Sequence, residues 1–237
     1  MCWNWQTSAL AMTVDMTIGF FLMFSRRSGR RDHVKGVFLL GLGGVQLAEA
    51  LIHWGQETSS FPPGTCRLHG LNEFGTQVVL PIAFILQSCS VLISRLVFGA
   101  RRSSWKQALY DLCVPSLSTI FWLQELFVYL SWRTSGSGAW PEAARGQPRC
   151  SWLSPSGYLI WKHFKAHNLI FHLLTVAFSF YSILNAQALL QFVLYNLTAL
   201  YLSLAFTDAP SSNWCLYGTG LSVLALLHHG KAREAVS

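Results

Sequence analysis

The chain has 237 residues; 52% belong to the AVILMFWYC set, only 11% are charged, and the formal net charge is +7. Soluble domains carry roughly 25% charged residues, so this balance excludes an ordinary soluble domain, a disordered segment and a soluble nucleic-acid binder. Aromatics reach 14%, including ten tryptophans, and Trp and Tyr gather at membrane–water boundaries, where an apolar ring carries a polar handle.

A helix crossing about 30 Å of hydrocarbon needs about 20 mostly apolar residues. Seven segments approach that length: 7–24, 36–54, 74–98, 107–130, 168–184, 188–206 and 214–229. Lipid offers no hydrogen-bond partners to the backbone, so these runs are expected to be helical, and no strand-like alternation suggests a barrel. The predicted fold is therefore an all-α polytopic bundle of about seven transmembrane helices, with residues 1–237 forming a single transmembrane domain.

The first span, 7–24, has Asp15 midway, no basic residue before it and no small-residue cleavage site after it, so it is expected to stay as a permanent helix. A short basic connection leads to span 36–54, where Gly41-Leu42-Gly43-Gly44 and Ala48 offer a small face for close helix packing. Glu49 and His53 lie one turn apart near its end, on one face by their i,i+4 spacing. The next connection carries Pro62-Pro63-Gly64 and Cys66. Span 74–98 is expected as a single helix, opened by Glu73 and Gln77, with Pro81, Gln87 and Cys89 deeper.

Span 107–130 begins near Asp111, where a carboxylate suits a helix N-terminus, and places Glu125 beside Gln124 near its far end. The connection 131–167 is the longest. Its second half mixes Tyr158, Leu159, Ile160, Trp161 and Phe164 with Lys162, His163, Lys165 and His167, a pattern expected of an interfacial helix or a wet lead-in to the fifth span. Residues 168–206 are almost unbroken and too long for one crossing, so a turn is expected at Asn185-Ala186-Gln187, with His172 in the outer third of the fifth span. The sequon Asn196-Leu197-Thr198 falls inside span 188–206, where no glycan is expected.

The basic residues are unevenly distributed. Arg26, Arg27, Arg30, Arg31, Lys35, Arg95, Arg101, Arg102, Lys106, Lys231 and Arg233 share one face of a seven-span protein, which predicts an outer N-terminus and a cytoplasmic C-terminus. Cys2, Cys66, Cys150 and Cys215 fall on or near the outer face and are candidates for disulfides, whose pairing the sequence leaves open. Cys89 and Cys113 lie within spans and have no CxxC partner.

Ionisable groups at bilayer depth are costly, about 2.5–3.5 kcal/mol each on insertion scales, so each is a functional candidate. Asp15, Glu49, His53, Glu73, Gln77, Glu125 and His172 are expected to line a polar vestibule that opens outward. Such a vestibule suits transport or binding of a small ligand. Carboxylate and imidazole also suit a metal. The alternative is a structural role, with polar side chains fixing helix register in an accessory membrane subunit.

A metal-dependent membrane hydrolase is the third reading. It falters because His53 is expected at the outer end of its span and His228-His229 at the cytoplasmic end of theirs. The last span has no Lys for a retinal Schiff base, and the receptor signatures Asp/Glu-Arg-Tyr and Asn-Pro-x-x-Tyr are absent. No catalytic residue is assigned, and the cofactor and the particular membrane stay open. The expected partners are the lipid bilayer and other membrane proteins, with no nucleic acid.

The opening Met1-Cys2-Trp3-Asn4-Trp5-Gln6-Thr7-Ser8 resembles an uncharacterised family of small multi-pass membrane proteins beginning Met-Cys-Trp-Ser, known in microbial eukaryotes, bacteria and large DNA viruses; Asn4 replaces the usual Ser. Similar patches are Val45-Gln46-Leu47-Ala48-Glu49-Ala50, Leu80-Pro81-Ile82 with Gln87, Trp214-Cys215-Leu216-Tyr217 and, more loosely, Tyr158-Leu159-Ile160-Trp161-Lys162. The resemblance implies a multi-pass membrane protein and supplies no activity.

Overall fold

A computed structural model of the chain describes residues 4–57, 70–99, 105–134, 151–153, 159–160, 171–177 and 214–227, with isolated positions between 190 and 201. These residues are overwhelmingly helical. Helix α1 is Trp5–Phe24, α2 is Arg30–Glu57, α3 is Gly70–Phe74, α4 is Leu80–Ser88, α5 is Ser90–Phe98 and α6 is Trp105–Thr134. Residues 171–177 form α7, and Trp214–Leu227 form α8. One short antiparallel pair joins β1, Trp152–Leu153, to β2, Leu159–Ile160.

Two helices, α1 and α2, are long and apolar enough to cross a bilayer, and the bent run 70–98 makes a third if it is one span. Helix α6 has 30 residues, and α7 and α8 fall within the expected fifth and seventh spans. Of the expected sixth span only scattered positions are described, and the turn at Asn185-Ala186-Gln187 lies outside the described residues.

Helix α1 starts on a side-chain cap, with Asn4 Oδ1 accepting from the Thr7 N–H at 2.8 Å. Its buried stripe is Ser8, Ala11, Asp15, Gly19 and Leu22, and Leu10, Phe20, Phe21 and Phe24 point outward. Helix α2 is the central element, packed by α1 on one side and by α4 and α5 on another. Its glycines set these distances. A Cβ at Gly36 would come within 2.7 Å of the Gly19 carbonyl on α1, and one at Gly41 within 2.9 Å of the Ala83 carbonyl on α4. The Gly-rich stretch therefore serves two interfaces, with Gly43 against Met16 of α1 and Gly44 against Ala83 of α4.

The third span is not the single helix expected over 74–98. Gly75–Val79 form a π turn, in which the Leu80 N–H reaches the Gly75 carbonyl. Pro81 accounts for it: proline has no N–H and its ring crowds the carbonyl four residues earlier, so a wider turn ahead of it relieves the clash. A second interruption follows at Cys89, whose φ of −89° and ψ of 5° leave the helical range. Gly70–Ser88 and Ser90–Phe98 meet there at 70°. Gly99, with φ 73°, ends α5.

Ring contacts mark the two ends of the bundle. Trp5 stacks on Trp54 at 5.7 Å at one end. At the other, Phe98 meets Phe24 at 5.9 Å and His33 at 4.2 Å. Arg26, Arg27, Arg30, Arg31, Lys35 and Arg95 belong to the Phe98 end, and Arg133 to the opposite one. Around the outside, α6 exposes Leu109, Leu112, Leu117, Ile120, Leu123, Phe127 and Leu130, and α8 exposes Val223, Leu224, Leu226 and Leu227. That much exposed apolar surface, with polar groups buried inside, is the inverse of a water-soluble design and weakly supports membrane association.

Candidate functional site

The break in the third span is where buried polar groups converge. Gln87 and Ser88 come from the end of α4, Ser118 from α6 and His172 from α7. Ser88 Oγ donates to Ser118 Oγ at 3.0 Å, and Ser118 Oγ lies 3.4 Å from His172 Nδ1. His172 Nε2 lies 2.9 Å from Gln87 Oε1. The set is consistent with one tautomer: a neutral imidazole that accepts at Nδ1 and donates from Nε2 to the amide oxygen. Beside it, Cys89 Sγ is 3.0 Å from Thr119 Oγ1. Phe84 packs edge-on against the imidazole at 4.6 Å and stacks on Trp122 at 4.5 Å.

The Gln87 amide of this cluster keeps a spare donor. Gln87 Nε2 is buried and has no hydrogen-bond partner among the described residues. A buried unsatisfied donor costs about 1–3 kcal/mol. The side chain is held in place by Gly41 of α2, where an added Cβ would meet Gln87 Cγ at 2.7 Å.

A second polar group closes the Trp5–Trp54 end. Ser151, the residue before β1, is fully buried, and three side chains hold its backbone and hydroxyl. Its carbonyl accepts from Asn72 Nδ2 at 2.8 Å and from Gln56 Nε2 at 3.1 Å. Its N–H donates to Asn72 Oδ1 at 3.2 Å and to Thr76 Oγ1 at 3.3 Å, and its hydroxyl lies 3.0 Å from that of Thr76. Nearby, Glu73 lies 4.0 Å from Arg133 and hydrogen-bonds Tyr129. The ion pair itself is weak, since the Arg133 side chain is 64% exposed.

The expected vestibule residues are thus distributed over several places. His172 belongs to the break, and Glu73 to the Trp5–Trp54 end. Gln77 is buried in the π turn. Glu49 and His53 are buried on α2. At about 100° per residue, they share a face with Phe38 and Leu42, and those two pack in a cluster with Leu22, Val91 and Val176. Glu49 and His53 therefore continue that inward face toward the Trp54 end. Glu125 is half-buried on α6, on the stripe of Ser118, Trp122 and Tyr129, and α4 lies between α6 and α2. Asp15 is fully buried on α1, where Ser222 of α8 donates to its Oδ1 at 2.6 Å.

Sequence reasoning noted Gln87 without placing it in the pocket. It missed Ser88, Ser118, Asn72, Thr76, Ser151 and Ser222, whose small hydroxyls and amide are individually commonplace in helices and carry no spacing signal.

Among the described residues, no group of three or more His, Cys, Asp or Glu is arranged to hold a metal ion. Cys89 and Cys113 are free thiols. The disulfide candidates Cys2, Cys66 and Cys150 lie outside the described residues, as do the Cys215 side chain, His228 and His229. Of the expected interfacial helix over 158–167 only Leu159 and Ile160 are described, and they are extended and paired in β2. No family model, curated protein or solved structure matches the chain.

Proposed function

We propose that the chain is a multi-pass integral membrane protein of about seven spans, with its N-terminus outside, which binds or transports a small polar ligand. The supporting observation is the unsatisfied amide of Gln87 at the break of the third span. Interrupted spans lined by polar groups are tolerated at membrane depth where they face protein or a water-filled cavity, and transporters place their sites at such interruptions. A ligand with a hydrogen-bond acceptor, such as a hydroxyl, carbonyl or carboxylate oxygen, would satisfy Gln87 Nε2. The basic Phe98 end supports the orientation through the positive-inside rule. The resemblance of the Met1–Ser8 opening to the small multi-pass family supports the membrane reading and carries no activity.

The test is accessibility of the break. In a cysteine-free background reconstituted into liposomes, Ser118→Cys is expected to react with a small membrane-impermeant thiol reagent. Among sugars, amino acids and carboxylates, at least one class is expected to protect it. A cysteine that reacts from neither side would overturn the reading.

The second reading is a non-catalytic accessory subunit whose apolar surface packs against other membrane proteins. It is favoured by the interhelical bonds that already engage two of the carboxylates, Ser222 to Asp15 and Arg133 with Glu73. A sealed break would decide for it.

A further inference from the structure

The midpoint of α1 poses an electrostatic problem that the break of the third span does not solve. Asp15 is the only ionisable residue of α1. Its Oδ1 accepts from Ser222 Oγ, and its Oδ2 is buried with no hydrogen-bond partner among the described residues.

Among the described elements, α2 and α8 pack along α1, and α5 touches its far end through Phe98 on Phe24. Gly43 of α2 meets Met16 and Gly36 meets Gly19, which sets Asp15 level with the middle of α2. The ionisable residues of α2 lie toward its two ends. Arg30, Arg31, Asp32, His33 and Lys35 are at the Phe98 end, and Glu49, His53 and Glu57 lie toward the other. At 1.5 Å per residue, Lys35 is about 12 Å along the axis from the level of Gly43, and Glu49 about 9 Å. On α8 the described side chains, 219–227, include no ionisable group. Among the described residues, no cation therefore stands within pairing distance of Asp15, and the nearest ionisable groups of α2 toward the Trp54 end include another carboxyl.

A lone carboxylate with one hydrogen bond in an apolar interior is very costly, whereas the neutral acid is not. A proton is also a ligand that needs no cavity. We infer that Asp15 is a proton-binding site: Oδ2 takes up one proton to give a neutral acid whose carbonyl oxygen, Oδ1, keeps the Ser222 bond, and releases it to water when α1 and α8 part. The change is –COO⁻ plus H⁺ giving –COOH, without oxidation or reduction. It deepens the transport reading by naming the proton as the coupling ion, and in that purpose it rests on that reading. The proton itself is measured without any solute.

The test is pH-difference infrared spectroscopy on the full chain in lipid. A protonated-carboxyl C=O band that shifts in D₂O and is lost as the pH rises is expected. Asp15→Asn should remove it and Glu49→Gln should leave it in place. Ser222→Ala, which keeps the carboxyl, should move the band to higher frequency by freeing its carbonyl oxygen. A band that survives Asp15→Asn, one that does not shift in D₂O, or one unmoved by Ser222→Ala overturns the inference; the last decides if the Asn variant does not fold. If the band behaves as expected but nothing protects Ser118→Cys, the proton site stands and the solute pocket fails. Protection without the band sinks the proton site alone.

Discussion

His172 and Gln87, 85 positions apart, meet at 2.9 Å where the third span breaks, and they tie α7 to the end of α4. Removing either partner leaves the other buried and unsatisfied, at a cost of about 1–3 kcal/mol. Interhelical hydrogen bonds in membranes are themselves worth less, about 0.5–2 kcal/mol. A cycle of His172→Leu, Gln87→Leu and the double variant, followed by unfolding in mixed micelles, should give a coupling energy in that lower range. Strict additivity of the two single variants would show that the pair does not interact.

The Gly36 position leaves no room for a side chain, and Gly29 meets nothing within 4 Å. Gly36→Leu should therefore lower the thermal midpoint in detergent substantially, by the overpacking cost of about 1–3 kcal/mol. Gly29→Ala should leave it within the scatter. Equal midpoints for the two variants would refute the packing account.

Asn72 makes two of the bonds that fix Ser151, one to its carbonyl and one from its N–H. Asn72→Ala should speed hydrogen exchange at the Ser151 amide by about 10- to 100-fold, since 1.4 kcal/mol corresponds to a factor of ten and the loss is about 1–3 kcal/mol. Exchange at the α1 amides should not change. An unaltered Ser151 rate would mean that the segment is held by something else.

Arg27 lies in the turn between α1 and α2, and Ser131 is exposed near the end of α6. With three crossings between them in the proposed topology, single cysteines at these positions should be labelled by impermeant reagents from opposite sides of the membrane. Labelling of both from the same side would dismiss the count of crossings proposed above.

Much of the helical framework was legible because it is written in length and apolarity. Helix α2 extends the expected 36–54 at both ends, and α1 and α6 lie within a few residues of their expected bounds. The small face at Gly41–Gly44 was legible too, but not that it serves two neighbours. The bend at Cys89 was not legible, because Ser, Cys and Ser in an apolar run cost a helix little and leave no gap in hydropathy. Pro81 did announce its π turn, but only as an isolated residue whose effect depends on the turn before it.

The site was less legible than the fold. Glu49 and His53 could be paired from their spacing, whereas the partners of His172 lie 54 to 85 positions away. Ser151 reaches Asn72 across 79 positions of sequence. Contacts of that range arise from tertiary packing, which no local period encodes.

The contact between Gly19 and Gly36 has a mechanical consequence. Two backbones that touch through glycines have no side-chain layer to slide on, so α1 and α2 travel as one rigid plank. Among the described helices, rocking against that plank falls to the jointed third helix and to α8, whose grip on the plank includes the hydroxyl that Ser222 lends to Asp15.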